Sequence, residues 1–205
     1  MENTVDKFRN IPTTCISDAM EGLNNVHPAI KPLKEAYKFA GRAVTVKVPV
    51  GDNLAVLKAI RDSKPGDILV VDAKGDQYRA IAGDFVVGMA QTLGVGGIVV
   101  DGVIRDIVGI KELNFPVFSR GTTVAASGKA GVGEVNIPIS CGGVPVQPGD
   151  ILVGDADGVV VIPQTLEQEV LTKSLKKLEN DQLREANISG NKDAIMKHLD
   201  QLLSK

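Results

Sequence analysis

Apolar and polar positions follow two different periods along the first part of the chain. From Gly41 to Val50 they alternate, which predicts a β-strand. From Leu54 to Ile60 the apolar positions have helical spacing, and the turn Pro65-Gly66-Asp67 then leads into the apolar run Ile68 to Val71, which predicts a buried strand. Strands that alternate with helices are typical of a layered α/β domain.

The same order of elements continues through the middle of the chain. Ala80 to Leu93 has apolar positions at helical spacing, and Ile98 to Val100 is another buried strand. Asp101 to Asp106 is predicted to be the loop at the carboxyl end of that strand, and Ile107 to Leu113 a short helix. From Val117 to Ile162 the pattern changes to consecutive strands separated by Gly/Pro turns.

Both ends of the chain are predicted to be helical. Thr13 and Thr14 open a short helix through Met20, which we expect their hydroxyls to cap. The C-terminal stretch is charged and helical, with an interruption at residues 188–191. We therefore predict an α/β domain over residues 1–163 and a helical extension over residues 164–205.

Composition excludes several classes of protein. The net charge is −2, and no Lys/Arg cluster with interleaved aromatic residues indicates nucleic-acid binding. No apolar run approaches the roughly 20 residues of a membrane helix, and the N-terminus lacks the apolar core of a signal peptide. Cys15 and Cys141 are far apart in sequence and are expected to be reduced thiols. These features predict a soluble cytoplasmic protein.

Two glycine-rich segments resemble nucleotide-binding motifs, but the order of the surrounding elements excludes one and the spacing excludes the other. Gly94-Val95-Gly96-Gly97 follows a predicted helix and precedes a strand, whereas the dinucleotide-binding motif needs the reverse order. Between Gly121 and Gly128-Lys129 lie six residues where a phosphate loop has four, and Ala130 stands where the Ser/Thr ligand of Mg²⁺ should be. We reject both interpretations.

Two segments 21 residues apart carry the residue types best suited to chemistry. Gly83-Asp84 lies near a predicted helix N-terminus, where free backbone N–H groups bind anions such as carboxylates. Arg105-Asp106 follows a buried strand, and α/β proteins bind ligands at the carboxyl ends of such strands. Arginine holds a carboxylate or an enolate through paired N–H donors, and aspartate suits Mg²⁺ or Mn²⁺.

The same residues also have purely structural explanations. Asp84 near a helix start is explained by the helix dipole alone. Arg105-Asp106 fits an exposed pair in a turn, and Asp101-Gly102 is an ordinary turn dipeptide. The residues by themselves leave both interpretations open.

This stretch resembles the RraA-like family, including its 4-hydroxy-4-methyl-2-oxoglutarate/4-carboxy-4-hydroxy-2-oxoadipate aldolases. The resemblance extends from Ile11 to Pro163 and includes four further segments: Gly41-Arg42-Ala43-Val44-Thr45, Pro65-Gly66-Asp67, Pro148-Gly149-Asp150 and Asp155-Ala156-Asp157-Gly158-Val159. It implies an α/β fold with β/β/α layers, similar to swivelling domains, with a C-terminal helical arm. It also implies homotrimers or homohexamers whose sites lie near subunit boundaries.

The resemblance implies a role for each residue of the two segments. The substrate-binding set would be Gly83, Asp84, Phe85, Val86 and Arg105. Of these, Arg105 would bind the pyruvyl portion and, with Asp84, be catalytic, while Asp106 would ligate Mg²⁺ or Mn²⁺. The small Ala82 departs from the commoner aldolase pattern and leaves the size of the substrate open. Glu179 is a candidate for an acidic residue contributed by a neighbouring subunit, although a solvated charge explains it as well.

The implied function is a divalent-metal-dependent lyase that cleaves 4-hydroxy-2-oxo acids to pyruvate. Decarboxylation of oxaloacetate passes through the same pyruvate enolate, so one site can serve both reactions. The family also contains regulators of RNase E, which bind protein partners, and some of these lack the aspartate after the arginine. The presence of Asp106 favours the enzyme over a regulator.

Other aldolase mechanisms find less support in the residues. His27 and His198 are the only histidines, so a three-histidine metal site cannot form within one chain. A Schiff-base mechanism needs a buried lysine, and Lys47 on the alternating strand is a conceivable nucleophile. A solvent-facing position explains Lys47 better.

Overall fold

The computed structural model describes residues 4–204. Its α-helices are α1 (Thr4–Phe8), α2 (Thr13–Ala19), α3 (Leu54–Asp62), α4 (Asp84–Thr92), α5 (Ile107–Leu113), α6 (Glu167–Ile188) and α7 (Lys192–Leu203). Its longer strands are β2 (Phe39–Lys47), β3 (Ile68–Asp76), β5 (Gly97–Ile104), β6 (Val117–Thr122), β11 (Ile151–Asp155) and β12 (Gly158–Ile162). The short strands are β1 (Lys31–Pro32), β4 (Arg79–Ala80), β7 (Ala125–Ala126), β8 (Glu134–Val135), β9 (Ile139–Cys141) and β10 (Val144–Val146).

The main sheet has a parallel centre and antiparallel edges. Its strand order is β1-β6-β5-β3-β2-β11-β12, and β8 pairs with β2. The four central strands β2, β3, β5 and β6 run parallel, while β1, β11 and β12 are antiparallel to their neighbours. All residues of β5 are buried, as expected for a parallel strand that is covered on both faces. The ends of these parallel strands therefore define where ligands can approach.

Two hydrophobic layers cover the two faces of the sheet. On one face, Val56, Val87 and Ile110 of α3, α4 and α5 pack against strand residues that include Val71 and Val100. On the other face lies a small antiparallel sheet of β9 and β10, whose Ile139, Cys141, Val144 and Val146 join the second cluster. The layers are therefore small sheet, main sheet and helices, which confirms the predicted layered α/β fold.

The C-terminal helices differ in how they are packed. Val170 and Leu171 of α6 are buried in a third cluster with residues of α1, α2, β11 and β12. Helix α7 has no buried residue. The interruption between the two helices confirms the predicted break at residues 188–191, whereas the domain boundary at residue 163 remains a prediction. In the described part of the chain no helix has the length and apolar character needed to cross a membrane.

Two local predictions about helices were wrong. Helix α2 begins after Pro12 and no side chain caps it. The Thr13 hydroxyl instead donates to Asp155 Oδ1 at 2.7 Å, which ties the helix to the end of β11. The predicted helix from Ala80 begins only at Asp84, because Arg79–Ala80 pairs with β7 as a strand.

One local prediction about a loop was also wrong. The segment Asp101 to Ile104 continues β5, so only Arg105 and Asp106 lie beyond the strand. Asp101 is buried there and pairs with Arg120 of β6. Asp101-Gly102 is therefore part of the sheet and not a turn.

Candidate active site

The fold brings the two predicted segments together. Arg105 and Asp106 connect the carboxyl end of β5 to α5, and Gly83-Asp84 begins α4. The backbone N–H of Arg105 donates to the carbonyl of Ala82 at 3.0 Å. A Cβ added at Gly83 would overlap Asp106 Oδ2 and lie 3.3 Å from Asp106 Cγ. The segments predicted to converge are thus in direct contact.

Arg105 and Asp106 form an exposed pair held by an unusual backbone conformation. Arg105 Nε lies 3.2 Å from Asp106 Oδ2, and the two side chains are 41% and 43% exposed. Asp106 has left-handed dihedral angles (φ 55°, ψ 41°), which aspartate tolerates better than most residues. Its carbonyl accepts from Ile110 N at 3.1 Å in the first turn of α5. The backbone of Asp106 is therefore fixed while its carboxylate stays accessible.

Asp84 occupies the N-terminal end of α4. Gly83 precedes it without a side chain that could cap the helix, and Asp84 Oδ1 accepts from Phe85 N at 2.7 Å. The Asp84 carboxylate lies against Gly109 of α5. The carboxylate thus takes up one of the free N–H donors at the helix N-terminus, whose positive end attracts anions. A helix N-terminus thus lies where the anion cradle was predicted, and Asp84 already uses one of its N–H donors; anion binding there stays a prediction.

Phe85 and Val86 point in different directions from the start of α4. Phe85 is 78% exposed, whereas Val86 is half-buried and packs against the helical layer of the core. Phe85 also lines an apolar groove of about 630 Å³ between α3 and α4, together with Leu57 and Met89. Neither Arg105 nor Asp106 lines this groove. The predicted site is therefore an open surface at whose edge the groove begins.

Asn53 supports the site and was not singled out from the sequence. It is buried at the start of α3, and its Nδ2 donates to the carbonyl of Ile81 at 2.9 Å. Ile81 N donates in turn to the carbonyl of Val103, so Asn53 and β5 hold the segment that leads to Gly83. The Asn53 Oδ1 atom has no hydrogen-bond partner within residues 4–204. The only signal in the sequence is an asparagine directly before a helix. This signal predicts an N-cap residue as well as it predicts a residue that supports a site.

The cysteines do not provide a nucleophile. Both are free and buried. Burial raises the pKa of the Cys141 thiol, and the nearby negative charges of Asp101 and Asp72 raise it further. Burial also raises the pKa of Cys15, so both thiols stay protonated and unreactive at neutral pH.

Lys47 and the histidines lie away from the Arg105-Asp106 pair. Lys47 is half-buried on β2 and is in register with Asp72 of β3, which is in register with Asp101 of β5. Since Asp101 precedes Arg105 by four residues, this row lies about 13 Å back along the strand direction. His27 is an exposed loop residue, and His198 lies within α7, where it lines a pocket together with residues of α6. Lys47 is thus poorly placed to share the site with Arg105.

Asp106 can serve as one ligand of a hard cation but not as part of a full cage. In the chain from residue 4 to residue 204, no three His, Cys, Asp or Glu residues are grouped so that they could hold a metal. Mg²⁺ commonly binds through one or two carboxylates and keeps several waters, whereas zinc needs three or four protein ligands. An exposed carboxylate with one arginine neighbour therefore fits Mg²⁺ or Mn²⁺, with water and substrate oxygens filling the other positions.

Comparison with known proteins identifies the family. Residues 13–161 match the sequence model of the family described as RraA-like, Aldolase/RraA. A protein from Halalkalibacterium halodurans, provisionally named 4-hydroxy-4-methyl-2-oxoglutarate aldolase, is 59% identical over 97% of this chain and 95% of its own length.

Solved structures agree with the sequence match. An uncharacterized protein from Pseudomonas syringae pv. tomato has a TM-score of 0.82 at 30% identity, over 95% of this chain and 93% of its own. The RNA-processing inhibitor RraA from Thermus thermophilus has a TM-score of 0.69 at 31% identity, over 80% of this chain and 94% of its own. The fold, the family model and the 59% identical relative lead to one assignment: this chain belongs to the RraA-like family.

Proposed function

We propose that the protein is a divalent-metal-dependent carbon–carbon lyase that cleaves 4-hydroxy-2-oxo acids to pyruvate. The observation that carries the proposal is the contact of Arg105-Asp106, at the end of β5, with Gly83-Asp84 at the start of α4. This contact joins a guanidinium, an exposed carboxylate and a helix N-terminus, the groups that a 2-oxo acid and its cation require. The name of the Halalkalibacterium relative supports the same reaction.

Arg105 is the proposed anchor for the pyruvyl portion of the substrate. Its guanidinium would bind the carboxylate and stabilise the negative charge that develops on the keto oxygen as the bond between C3 and C4 breaks. Its side chain is 41% exposed and therefore open to a ligand. A guanidinium is suited to this task because its N–H donors form a rigid fork.

Asp106 is the proposed protein ligand of Mg²⁺ or Mn²⁺. A cation bound there would act as a Lewis acid towards the substrate carboxylate and keto oxygen. Asp106 has a left-handed backbone conformation, and its carbonyl accepts a helical hydrogen bond from Ile110 N. Both features fix the backbone from which the carboxylate extends. The nearby Arg105 lowers the repulsion between this carboxylate and an anionic substrate.

Asp84 is the proposed proton-transfer group. Cleavage requires that the C4 hydroxyl lose its proton as the electrons of the C3–C4 bond move into the pyruvate enolate, which is then protonated at C3. Asp84 is an exposed carboxylate at the helix N-terminus that also bounds the anion cradle of Gly83, Phe85 and Val86. Removal of carbon dioxide from oxaloacetate leaves the same enolate, so we propose oxaloacetate decarboxylation as a second reaction of this site.

The proposal includes assembly into homotrimers or homohexamers in the cytoplasm. Phe85 and Val108, which flank the site on α4 and α5, are 78% and 69% exposed in the single chain. Large exposed apolar side chains beside a site are typical of surfaces that a partner or ligand covers. Glu179 is exposed on α6 and is our candidate for an acidic residue that joins the site of a neighbouring subunit.

The rival function is that of a protein-binding ribonuclease regulator, which the likeness to the Thermus RNA-processing inhibitor favours. Turnover of oxaloacetate and of a panel of 4-hydroxy-2-oxo acids, followed by pyruvate formation, separates the two functions. We expect turnover with Mg²⁺ or Mn²⁺ and none after exhaustive EDTA treatment, because the enolate then lacks its Lewis acid. Full activity in EDTA would favour a lysine mechanism, and no turnover of any substrate would favour the regulator.

A further inference from the structure

Two glycines at the site each make room for a carboxylate of the other segment. On α5, a Cβ at Gly109 would lie 2.6 Å from Asp84 Oδ2 and 2.9 Å from Asp84 Cβ. At the start of α4, a Cβ at Gly83 would overlap Asp106 Oδ2. We call these two approaches the glycine–carboxylate contacts. They are reciprocal, because each segment supplies one glycine and one aspartate.

The backbone conformation requires glycine at neither position. Gly83 has φ −122° and ψ −175°, which any residue adopts. Gly109 lies inside α5, has no positive φ, and in a helix glycine is less stable than alanine by about 1 kcal/mol. What sets both positions apart is the space that the absent Cβ leaves, and in each case an aspartate carboxylate of the site fills it.

We propose that Gly109 and Gly83 are positioning residues that set the separation of Asp84 and Asp106 and hence the width of the substrate site. The inference rests on the proposed function and adds a determinant on α5 to it. Because α4 and α5 approach each other at these contacts, each glycine also sets the position of the start of α4 relative to α5. A side chain at Gly109 therefore moves a functional carboxylate without touching the substrate. Gly83 also bounds the proposed anion cradle, so its effect on Asp106 is measured by Mn²⁺ binding in the absence of substrate.

The two contacts respond differently to a methyl group. At Gly109, rotation of the Asp84 side chain gives no relief, because Asp84 Cβ is itself 2.9 Å away, so the start of α4 must shift against α5. At Gly83, the overlapping atom is the far end of a side chain, with Asp106 Cγ at 3.3 Å, so rotation of the Asp106 carboxylate relieves it. Gly109→Ala thus displaces the proton-transfer group, and Gly83→Ala displaces the cation ligand.

Gly88→Ala is the matched control. Gly88 lies on α4 between the two contacts and the helix end, and a Cβ there would meet only Leu113 Cδ1 at 3.9 Å, an ordinary van der Waals distance. Mn²⁺ binding is measured by electron paramagnetic resonance, kcat and KM for the best substrate by pyruvate formation, and folding by circular dichroism and urea denaturation. Each measurement is made on the wild type and the three alanine variants.

We expect Gly109→Ala to bind Mn²⁺ within about two-fold of wild type while its kcat falls about 10-fold or more, since small misplacements of reacting groups are costly. Gly83→Ala is expected to weaken Mn²⁺ binding about 10-fold or more and remain folded. Gly88→Ala should match wild type in both. If Gly109→Ala does not fold, the Mn²⁺ titration of Gly83→Ala decides.

Two results would overturn the inference, and they distinguish failure of the inference from failure of the proposed function. If wild type turns over substrate but Gly109→Ala and Gly83→Ala behave like Gly88→Ala, the glycines position nothing and only this inference fails. If wild type neither binds Mn²⁺ nor forms pyruvate, the proposed function fails and the inference falls with it.

Discussion

The Arg105-Asp106 pair has a counterpart elsewhere on the surface, which allows a controlled test of its role. On α3, Arg61 and Asp62 are also consecutive and form an ion pair, with Nε 2.6 Å from Oδ1. Asp62 is 42% exposed and Asp106 is 43% exposed. We therefore compare Arg105→Lys and Asp106→Asn with Arg61→Lys and Asp62→Asn. The two pairs match in residue type, in order and in the exposure of the aspartate, and they differ in their place in the fold and in the exposure of the arginine, which is 72% for Arg61 and 41% for Arg105.

The effect of the site variants on stability should be small. An exposed ion pair such as that of Arg105 and Asp106 contributes about 1 kcal/mol at most to the free energy of unfolding. Asparagine is chosen at position 106 because it adopts the left-handed conformation as aspartate does, whereas alanine there would add a cost of about 1 kcal/mol. The control variants should leave the urea midpoint unchanged. Any loss of activity then reflects the site and not unfolding.

The effect on function should be large and should separate the two residues. Asp106→Asn removes the negative charge of the proposed ligand, so we expect Mn²⁺ affinity to fall by more than about 100-fold and turnover to disappear. Arg105→Lys should keep Mn²⁺ binding but lose about 100-fold or more in kcat, about 2.7 kcal/mol, since an ammonium cannot reproduce the guanidinium fork. Steady-state pyruvate formation and Mn²⁺ titration measure both. If Arg105→Lys and Asp106→Asn turn over substrate as the α3 variants do, the site has been placed wrongly.

Three further predictions concern assembly and stability. Light scattering at micromolar concentration should give three or six times the chain mass of 21.6 kDa, and a monomeric mass would contradict the proposed assembly. Asp101→Asn should lower the free energy of unfolding by about 3 kcal/mol in urea, because it leaves Arg120 without its buried partner; a change under about 0.5 kcal/mol would refute this. Burial raises the pKa of Asp52, but three backbone N–H donors outweigh it and hold that pKa below its ordinary value of about 4. Asp52→Asn should therefore be less stable than wild type at neutral pH, with the difference closing as pH falls through the lowered pKa; a constant difference from pH 7 to pH 2 would contradict it.

The parallel core could be predicted because its signal is local. The strands β3 and β5 are buried on both faces, so each begins as an apolar run between turn residues that stands out without knowledge of its neighbours. The turn Pro65-Gly66-Asp67 marks the start of β3, and Gly66 has the positive φ of 86° that such a turn requires. Because Arg105 and Asp106 follow the apolar run of β5, the sequence also placed them beyond the carboxyl end of that strand.

The continuation of β5 through Asp101 and Gly102 could not be predicted, because its cause lies far away in the sequence. An aspartate and a glycine together favour a turn. Inside the protein, Arg120 pairs with the Asp101 carboxylate and Gly142 N donates to it at 2.8 Å. These partners come 19 and 41 residues later. The role of Asn53 was missed for the same reason, since its acceptor, the carbonyl of Ile81, comes 28 residues later, between β4 and α4.

The two Arg-Asp pairs differ in their surroundings and not in their residue types. The two pairs have the same residue types in the same order, and their aspartates are about equally exposed, but in the sequence only Arg105-Asp106 follows a predicted buried strand. The difference is what surrounds each pair. Arg61-Asp62 ends helix α3, where Arg61 lines the apolar groove. Arg105-Asp106 follows a buried parallel strand, has a left-handed aspartate and lies against Gly83 at a helix N-terminus. Only the second pair combines a fixed backbone with a neighbouring anion-binding end, and this combination makes Arg105-Asp106 the proposed site.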